Sequence, residues 1–290
     1  MSAMKSAFKN VAVIGKYKNP ETREQILALA GFLAERQVGV FVEENTAQHC
    51  GITGYTTLNM SAIGTHADLA VVLGGDGTML WVARALMDDN IPLIGINRGR
   101  FGFLTDLTAD SMLEGVGKIL AGAFNTEQRM LLSAFILHNG KTVGHGIAMN
   151  DVVISKGSIA RLIELEVNID GQFVYKQRSD GLIISTPTGT TAYSLSAGGP
   201  ILHPTLDAIA LVPICPHTLS NRPIAINSAS KVEVTLIQAE DACIHFDGQQ
   251  QLSFQQGDKI LVQRADKTVS LLHPLGHSHY DMLREKLNWG

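Results

Sequence analysis

Residues 69–86 read LAVVLGGDGTMLWVARAL. Leu69 to Leu73 form an apolar run of strand length, and beyond Gly74-Gly75-Asp76-Gly77-Thr78 the residues Met79, Val82, Ala83 and Leu86 fall on one helical face. A switch of period from strand to helix across a glycine-rich turn is the unit from which parallel α/β sheets are built. A hairpin at Asp76-Gly77 would need a second strand after it, and the spacing that follows is helical instead.

The same alternation extends in both directions. Upstream, Val11 to Ile14 predicts a strand, and Ile26, Leu29, Ala30 and Leu33 predict a helix started by Asn19-Pro20-Glu21. Further strands are expected at Val38 to Val42 and Pro92 to Ile96, with helices over Thr78 to Asp88 and Ala109 to Leu120. Residues 1–124 are therefore expected to form an α/β domain with a parallel sheet. Beyond about Phe124 the period changes to alternation, punctuated by Asn139-Gly140, Asp170-Gly171 and Asp247-Gly248, each a favoured two-residue hairpin turn. Leu162 to Ile169, Gln172 to Tyr175, Lys231 to Ile237 and Lys259 to Val262 are strand candidates rich in β-branched residues. A mainly antiparallel β domain is expected over 125–278. Tyr280 to Trp289 predicts an amphipathic helix, and 279–290 is expected to pack back on the first domain.

The turn after Leu73 could hold a phosphate. Gly74, Gly75, Gly77 and Thr78 expose backbone N–H groups, and the helix that follows adds the positive end of its dipole, without any lysine. A carboxylate among such amides would repel an anion, so Asp76 points to a chemical duty: holding a divalent cation, or taking a proton from an attacking hydroxyl. A second constellation, Asn97-Arg98-Gly99-Arg100-Phe101-Gly102-Phe103-Leu104, leaves the next strand. Loops from adjacent parallel strands meet on one sheet edge, so both could share a ligand; equally, this is a glycine-rich connector with two solvated arginines. Asp180 to Ser194 joins an apolar strand to a turn crowded with hydroxyls that suits polyphosphate and ribose, although Ser and Thr are also common turn formers. Asn150-Asp151 can grip a ribose or a base edge, or start a turn.

Other chemistries lack their patterns. There is no G-x-x-x-x-G-K-[ST] loop, no G-x-G-x-x-G fingerprint and no G-x-S-x-G elbow. The ten histidines offer no metal-binding pair at helical spacing, so no zinc site is expected and no metal ligand is fixed. A length of 290 residues suits about two domains at roughly 150 residues each. Charged residues are 17% against roughly 25% in an average soluble domain, and 45% are hydrophobic, which excludes a disordered chain. The net charge of −4, with no basic stripe, argues against nucleic acid or anionic lipid as a partner. The longest apolar run, Ala208 to Cys215, is too short to span a membrane and contains Pro213. The apolar stretch near the N-terminus is too short for a signal peptide, so cytoplasmic residence is expected. Cys50, Cys215 and Cys243 are odd in number and unpaired in spacing, and are read as reduced thiols.

Taken together, Gly74-Gly75-Asp76-Gly77, the Asn97 to Thr105 segment, Asn150-Asp151 and the Asp180 to Pro200 block resemble the bacterial NAD kinases in order and context. The Gly-Gly-Asp-Gly loop alone is also similar to those of diacylglycerol and sphingosine kinases. The resemblance to NAD kinases runs from about Val11 to the C-terminal helix. It implies ATP-dependent phosphorylation of the adenosine-ribose 2′-hydroxyl of NAD, with Mg²⁺, in a cleft between an α/β domain and a sandwich-like β domain. It makes Asp76 the catalytic residue and assigns NAD binding to Asp76, Gly77, Asn150, Asp151, Arg161, Arg178, Asp180 and the segment Thr191, Ala192, Tyr193, Ser194, Leu195 and Ser196. Gln249 matches a further binding position, with Gln250 one register step away. A homotetramer or homodimer is implied, with sites completed by a neighbouring subunit. Polyphosphate or another triphosphate stays open as the donor.

Overall fold

The computed structural model of the chain describes residues 6–15, 21–97, 102–157, 162–218, 220–239 and 241–289. They divide into two compact units, Met1–Gln128 with Val269–Gly290, and Arg129–Thr268.

The first unit runs β1 (Asn10–Gly15), α1 (Glu21–Glu35), β2 (Gly39–Glu43), α2 (Glu44–Cys50), β3 (Thr56–Leu58), α3 (Met60–His66), β4 (Leu69–Leu73), α4 (Asp76–Ala85), β5 (Leu93–Asn97), β6 (Leu107–Thr108) and α5 (Met112–Leu120). Its strands are parallel in the spatial order β3-β2-β1-β4-β5, with β6 continuing beside the end of β5. Every residue of β4 is buried, as a parallel strand covered on both faces requires. Ile26, Leu29, Ala30 and Leu33 of α1 are fully buried, as their spacing predicts. The chain builds outward from β1 through β2 to β3, then crosses back to start β4 on the other side of β1. At such a reversal loops diverge from the carboxyl ends of the strands and leave an open crevice, the usual ligand position in an open α/β sheet. The Gly74 turn leaves β4 at that reversal.

In this unit four short elements, α2, α3, β3 and β6, escape the periodicity reading. Helices α2 and α3 have seven residues each, too few turns to show a pattern, and are set by their caps. The Glu43 carboxylate accepts the N–H groups of Asn45 and Thr46 at 3.0 and 2.7 Å, and Asn59 Oδ1 accepts that of Ala62 at 2.9 Å. The expected helix over Ala109 to Leu120 begins only at Met112, and the one expected from Thr78 opens two residues earlier, at Asp76. Asn19 and Pro20 lie outside the described residues.

The second unit takes most of β7 (Phe124–His138), then β8 (Lys141–Ala148), β9 (Asp151–Lys156), β10 (Ile163–Ile169), β11 (Gln172–Ser179), β12 (Gly181–Ser185), a 3₁₀ turn (Thr188–Thr191), α6 (Tyr193–Ser196), β13 (Ala208–Ile214), β14 (Ile224–Asn227), β15 (Val232–Gln238), β16 (Ala242–Phe246), β17 (Gln250–Phe254) and the first part of β18 (Lys259–Pro274). One antiparallel sheet has the order β14-β13-β12-β9-β16-β17, and a second pairs β11-β10-β15-β18. Leu165, Val167, Val232 and Val234 from the second join Val152, Ile154, Leu182 and Ile244 from the first in a single buried cluster, so the unit is a sandwich. The three expected hairpin turns form, with positive φ at Asn139, Asp170 and Asp247 and at the glycine after each.

From Val269 on, β18 belongs to the first unit, where Leu271 pairs in parallel with Leu93. The chain ends in α7 (His279–Leu287), whose Met282 and Leu283 are buried. Among the described residues no helix is long and apolar enough to cross a membrane.

Strand β5 and the loop beyond it touch at Gly95, where an added Cβ would lie 2.5 Å from the Leu104 carbonyl and 2.8 Å from Thr105 Cγ2. Gly95→Ala is expected to lower the unfolding free energy by about 1–3 kcal/mol, the usual cost of an overpacked site, read as a lower urea midpoint at unchanged slope.

Candidate active site

In the first unit the Gly74 turn converts a buried strand into α4 within two residues. Gly75 is the N-cap, in extended conformation and without a side-chain cap, and its carbonyl accepts the N–H groups of Thr78 and Met79. None of Gly74, Gly75 and Gly77 has positive φ, so turning freedom is not what the glycines supply. They supply space: a Cβ at Gly74 would lie 2.6 Å from Thr78 Oγ1, while nothing stands within 4 Å of the corresponding point at Gly75. The first turn of α4 is thus open toward solvent at its positive end.

Asp76 is the first residue of α4 and is half-buried. Both of its carboxylate oxygens are held by the neighbouring loop. The Phe103 N–H donates to Oδ2 and the Leu104 N–H to Oδ1, each at 3.0 Å. Thr105 Oγ1 accepts the Gly102 N–H at 2.7 Å and closes the same loop. A Cβ at Gly102 would collide with Asp76 Oδ1 and stand 2.5 Å from Thr105 Oγ1. The loops that leave β4 and β5 therefore meet on this carboxylate. Arg98, Gly99, Arg100 and Phe101, read as part of the same constellation, lie outside the described residues.

In the second unit a cavity of about 440 Å³ is lined by Asn150, Asp151, Val153, Ser155, Ala192, Tyr193, His245, Asp247 and Gly248. Its floor is organised by Asp247. The Asp247 carboxylate accepts the N–H groups of Met149, Asn150 and Asp151 at 3.0, 2.7 and 3.2 Å, while the Asp247 N–H donates to the Asp151 carbonyl at 3.0 Å. The 3₁₀ turn packs against the same segment: Thr186 Oγ1 donates to the Met149 carbonyl at 2.6 Å, and a Cβ at Gly189 would collide with the Asn150 carbonyl. Buried Arg129 reaches Thr188 Oγ1 at 3.2 Å. Ser194 is fully buried, and its Oγ has no hydrogen-bond partner among the described residues.

Four of the residues expected to bind a dinucleotide, Asn150, Asp151, Ala192 and Tyr193, line this cavity. Thr191, Ser194, Leu195 and Ser196 continue the same turn and helix without lining it. Gln249 is exposed at the hairpin tip beside Gly248. Arg178 is exposed on β11, and Asp180 pairs with Lys156 at 2.6 Å, both off the lining. Arg161 lies outside the described residues. Asp247, His245 and Ser155 line the cavity and were not singled out from the sequence. The Asp-Gly pair marks a turn, but nothing in it announces that the aspartate gathers three amides from a segment almost 100 residues earlier.

The histidine reading also needs correction. His273 and His277 stand four residues apart, at a strand end and in the following loop rather than on a helix, and together with Asp106 they form a group able to hold a metal. Cys50, Cys215 and Cys243 form no disulfide among the described residues.

Residues 11–124 match the ATP-NAD kinase N-terminal domain, and residues 149–273 match the ATP-NAD kinase C-terminal domain. The chain belongs to the ATP-NAD kinase family. The NAD kinase of Thiobacillus denitrificans is 53% identical over 287 residues, covering 99% of this chain and 99% of that protein. The NAD kinase of Nitrosomonas europaea is 51% identical, covering 97% of this chain and 95% of its own. Among solved structures, yeast NADH kinase complexed with NADH superposes with a TM-score of 0.88 at 26% identity, covering 97% of this chain and 88% of that one. An NAD kinase from Archaeoglobus fulgidus in complex with ATP has a TM-score of 0.77 at 24% identity, covering 96% and 98%, and shares the fold. As a member of the NAD kinases the chain is a phosphotransferase.

Burial, and secondly the charge of Asp247, push the Asp151 carboxyl up to about 7 from an ordinary 3.8. Between those values the folded chain keeps a proton that the unfolded chain has lost, so stability falls as pH rises toward 7. Asp151→Asn is expected to flatten that decline, measured by urea unfolding at several pH values between about 4.5 and 8. Asp247→Ala leaves three N–H groups without their acceptor and should cost about 1–3 kcal/mol of stability.

Proposed function

We propose that the chain transfers the terminal phosphoryl group of ATP to the 2′-hydroxyl of the adenosine ribose of NAD, giving NADP, and that Asp76 takes the hydroxyl proton. The observation that carries this reading is the presentation of Asp76: a half-buried carboxylate at the N-terminus of α4, beside the strand-order reversal, oriented by two amides that leave its remaining lone pairs available. Each oxygen accepts one backbone hydrogen bond and has a further acceptor position. A hydroxyl hydrogen-bonded there would lose its proton as its oxygen attacks phosphorus, which is the role of a general base. The open first turn of α4, with the Thr78 hydroxyl and the Gly75 approach, favours the phosphate oxygens of the donor.

Asn150 and Asp151, together with Ala192 and Tyr193, hold the dinucleotide in this reading. A carboxyl that titrates near 7 can donate a hydrogen bond when protonated and accept one when ionised, so Asp151 can match either kind of group on a nucleoside. Tyr193, 47% exposed, presents a ring for stacking. The sequence resemblance extends the set to Arg161, Arg178, Asp180 and Gln249 and supports a homodimeric or homotetrameric assembly.

A divalent cation such as Mg²⁺ fits the donor set at Asp76, because a small hard cation takes carboxylate and phosphate oxygens. When bound, it neutralises charge on the phosphates of the donor. Asp76 would hold it, and the amides of Phe103 and Leu104 keep that carboxylate in place. Positioning and electrostatics supply most of the rate in such a transfer.

Asp76→Asn is expected to reduce kcat at least about 10²-fold, the lower range for general-base catalysis, while NAD still binds. The measurement is NADP formation from NAD, ATP and Mg²⁺, with the dissociation constant for NAD taken separately. NADP formation near the normal rate would overturn the role of Asp76, and NAD binding without any conversion by the unaltered chain would overturn the transfer itself.

A further inference from the structure

Two distant stretches of the first unit converge on one buried point. Asp106 follows the loop that holds Asp76, His273 lies near the end of β18, and His277 precedes α7. Potential ligand atoms of the three all lie within 4.8 Å of one another. His273 Nδ1 contacts Asp106 Oδ2, and His277 Nδ1 lies 3.2 Å from Asp106 Oδ1. The imidazole rings stack with centroids 4.3 Å apart. Behind His273, Nε2 faces Glu127 Oε2 at 3.3 Å. The three side chains are 5%, 11% and 17% exposed for His273, Asp106 and His277.

We propose that Asp106, His273 and His277 form a binding site for Zn²⁺, separate from the Mg²⁺ and phosphate chemistry of Asp76. Two imidazoles and one carboxylate make a borderline nitrogen-and-oxygen donor set that suits Zn²⁺, whereas Mg²⁺ and Ca²⁺ seek oxygen alone. Glu127 supplies what a metal-bound imidazole needs. With the ring proton of His273 on Nε2, that N–H faces Glu127 Oε2 across 3.3 Å and Nδ1 turns its lone pair to the ion; binding would align the pair into the carboxylate–histidine–metal arrangement that fixes tautomer and orientation. A cavity of about 200 Å³, lined in part by Thr105, Asp106, His277 and Ser278, opens beside the donors and leaves room for water as a fourth ligand.

The site bears on the catalytic loop. Asp106 continues the backbone that places the Phe103 and Leu104 N–H groups on Asp76. An ion there ties the base of that loop to the end of β18 and the start of α7, and restricts how far the loop can shift.

The test uses the full chain, stripped with EDTA and then titrated with Zn²⁺ alone by calorimetry and with Co²⁺ followed by visible absorption. One ion per chain is expected, with the intense bands of four- or five-coordinate Co²⁺. Glu127→Gln should weaken Zn²⁺ binding by about 10–100-fold, the usual effect of losing the partner of a ligating histidine. His277→Gln and Asp106→Asn should abolish the saturable site, with folding checked by circular dichroism. Zn²⁺ should also slow hydrogen exchange at the Phe103 and Leu104 amides. Zinc-edge X-ray absorption of the unaltered chain decides the matter even where a variant fails to fold: imidazole nitrogens with oxygen support the site. Sulfur ligation, oxygen ligation alone, absence of saturable uptake, or uptake unchanged in both His277→Gln and Asp106→Asn would each overturn it.

Discussion

Carboxylates that gather backbone N–H groups are the interaction on which both units depend. Asp76 holds the amides of Phe103 and Leu104, Asp247 those of three consecutive residues, Asp68 those of Lys9 and Asn10, and Glu43 those of Asn45 and Thr46. A loop leaving a strand has amides without partners, and an ionised acceptor satisfies two or three of them at once. Hydrogen bonds to charged groups are worth about 1.5–3 kcal/mol each, roughly twice the neutral kind. A few well-placed acids can therefore fix segments that have no regular structure. Asp76 differs from the others in that it stands in the first turn of a helix and gathers the amides of a neighbouring loop.

Close approach is the second constraint. Around Asp76 the glycines work by leaving room: Gly74 for the Thr78 side chain, Gly95 for the Leu104 carbonyl and Gly102 for the Asp76 carboxylate itself. In the hairpins the glycines work by accepting positive φ, at Gly140, Gly171 and Gly248. The sequence looks alike at Asp76-Gly77 and at the hairpin pairs Asp170-Gly171 and Asp247-Gly248. What differs is whether the next residues pair as a strand or wind as a helix.

That difference marks what could be read in advance. Strands β1, β2, β4 and β5, helices α1 and α4 and the hairpins of the second unit follow from short apolar runs, from a period of 3.6 residues and from Asp-Gly or Asn-Gly turns, all signals within one short window. The pairing of Asp76 with the 102–105 loop follows from adjacency of β4 and β5. Asp247 below Asn150-Asp151 does not, because the strand order that brings them together is set by sheet packing and not by local spacing. The meeting of Asp106 with His273 and His277 is more distant still: the four-residue spacing of the two histidines is visible in the sequence, but they lie on no helix and nothing local ties them to Asp106. Helices α2 and α3 stayed hidden for a simpler reason, since two turns capped by Glu43 and Asn59 carry little periodic signal.

The first unit is discontinuous in sequence: its last segment, from Val269, follows the whole of the second unit. During synthesis the ribosome therefore begins this unit first and completes it last. The nascent sandwich, being one unbroken stretch, has all its strands available before the neighbour of Leu93 has been translated. The unit bearing Asp76 lacks one of its strands until the whole of the second unit has been made, so the sandwich can close while the parallel sheet is still one strand short.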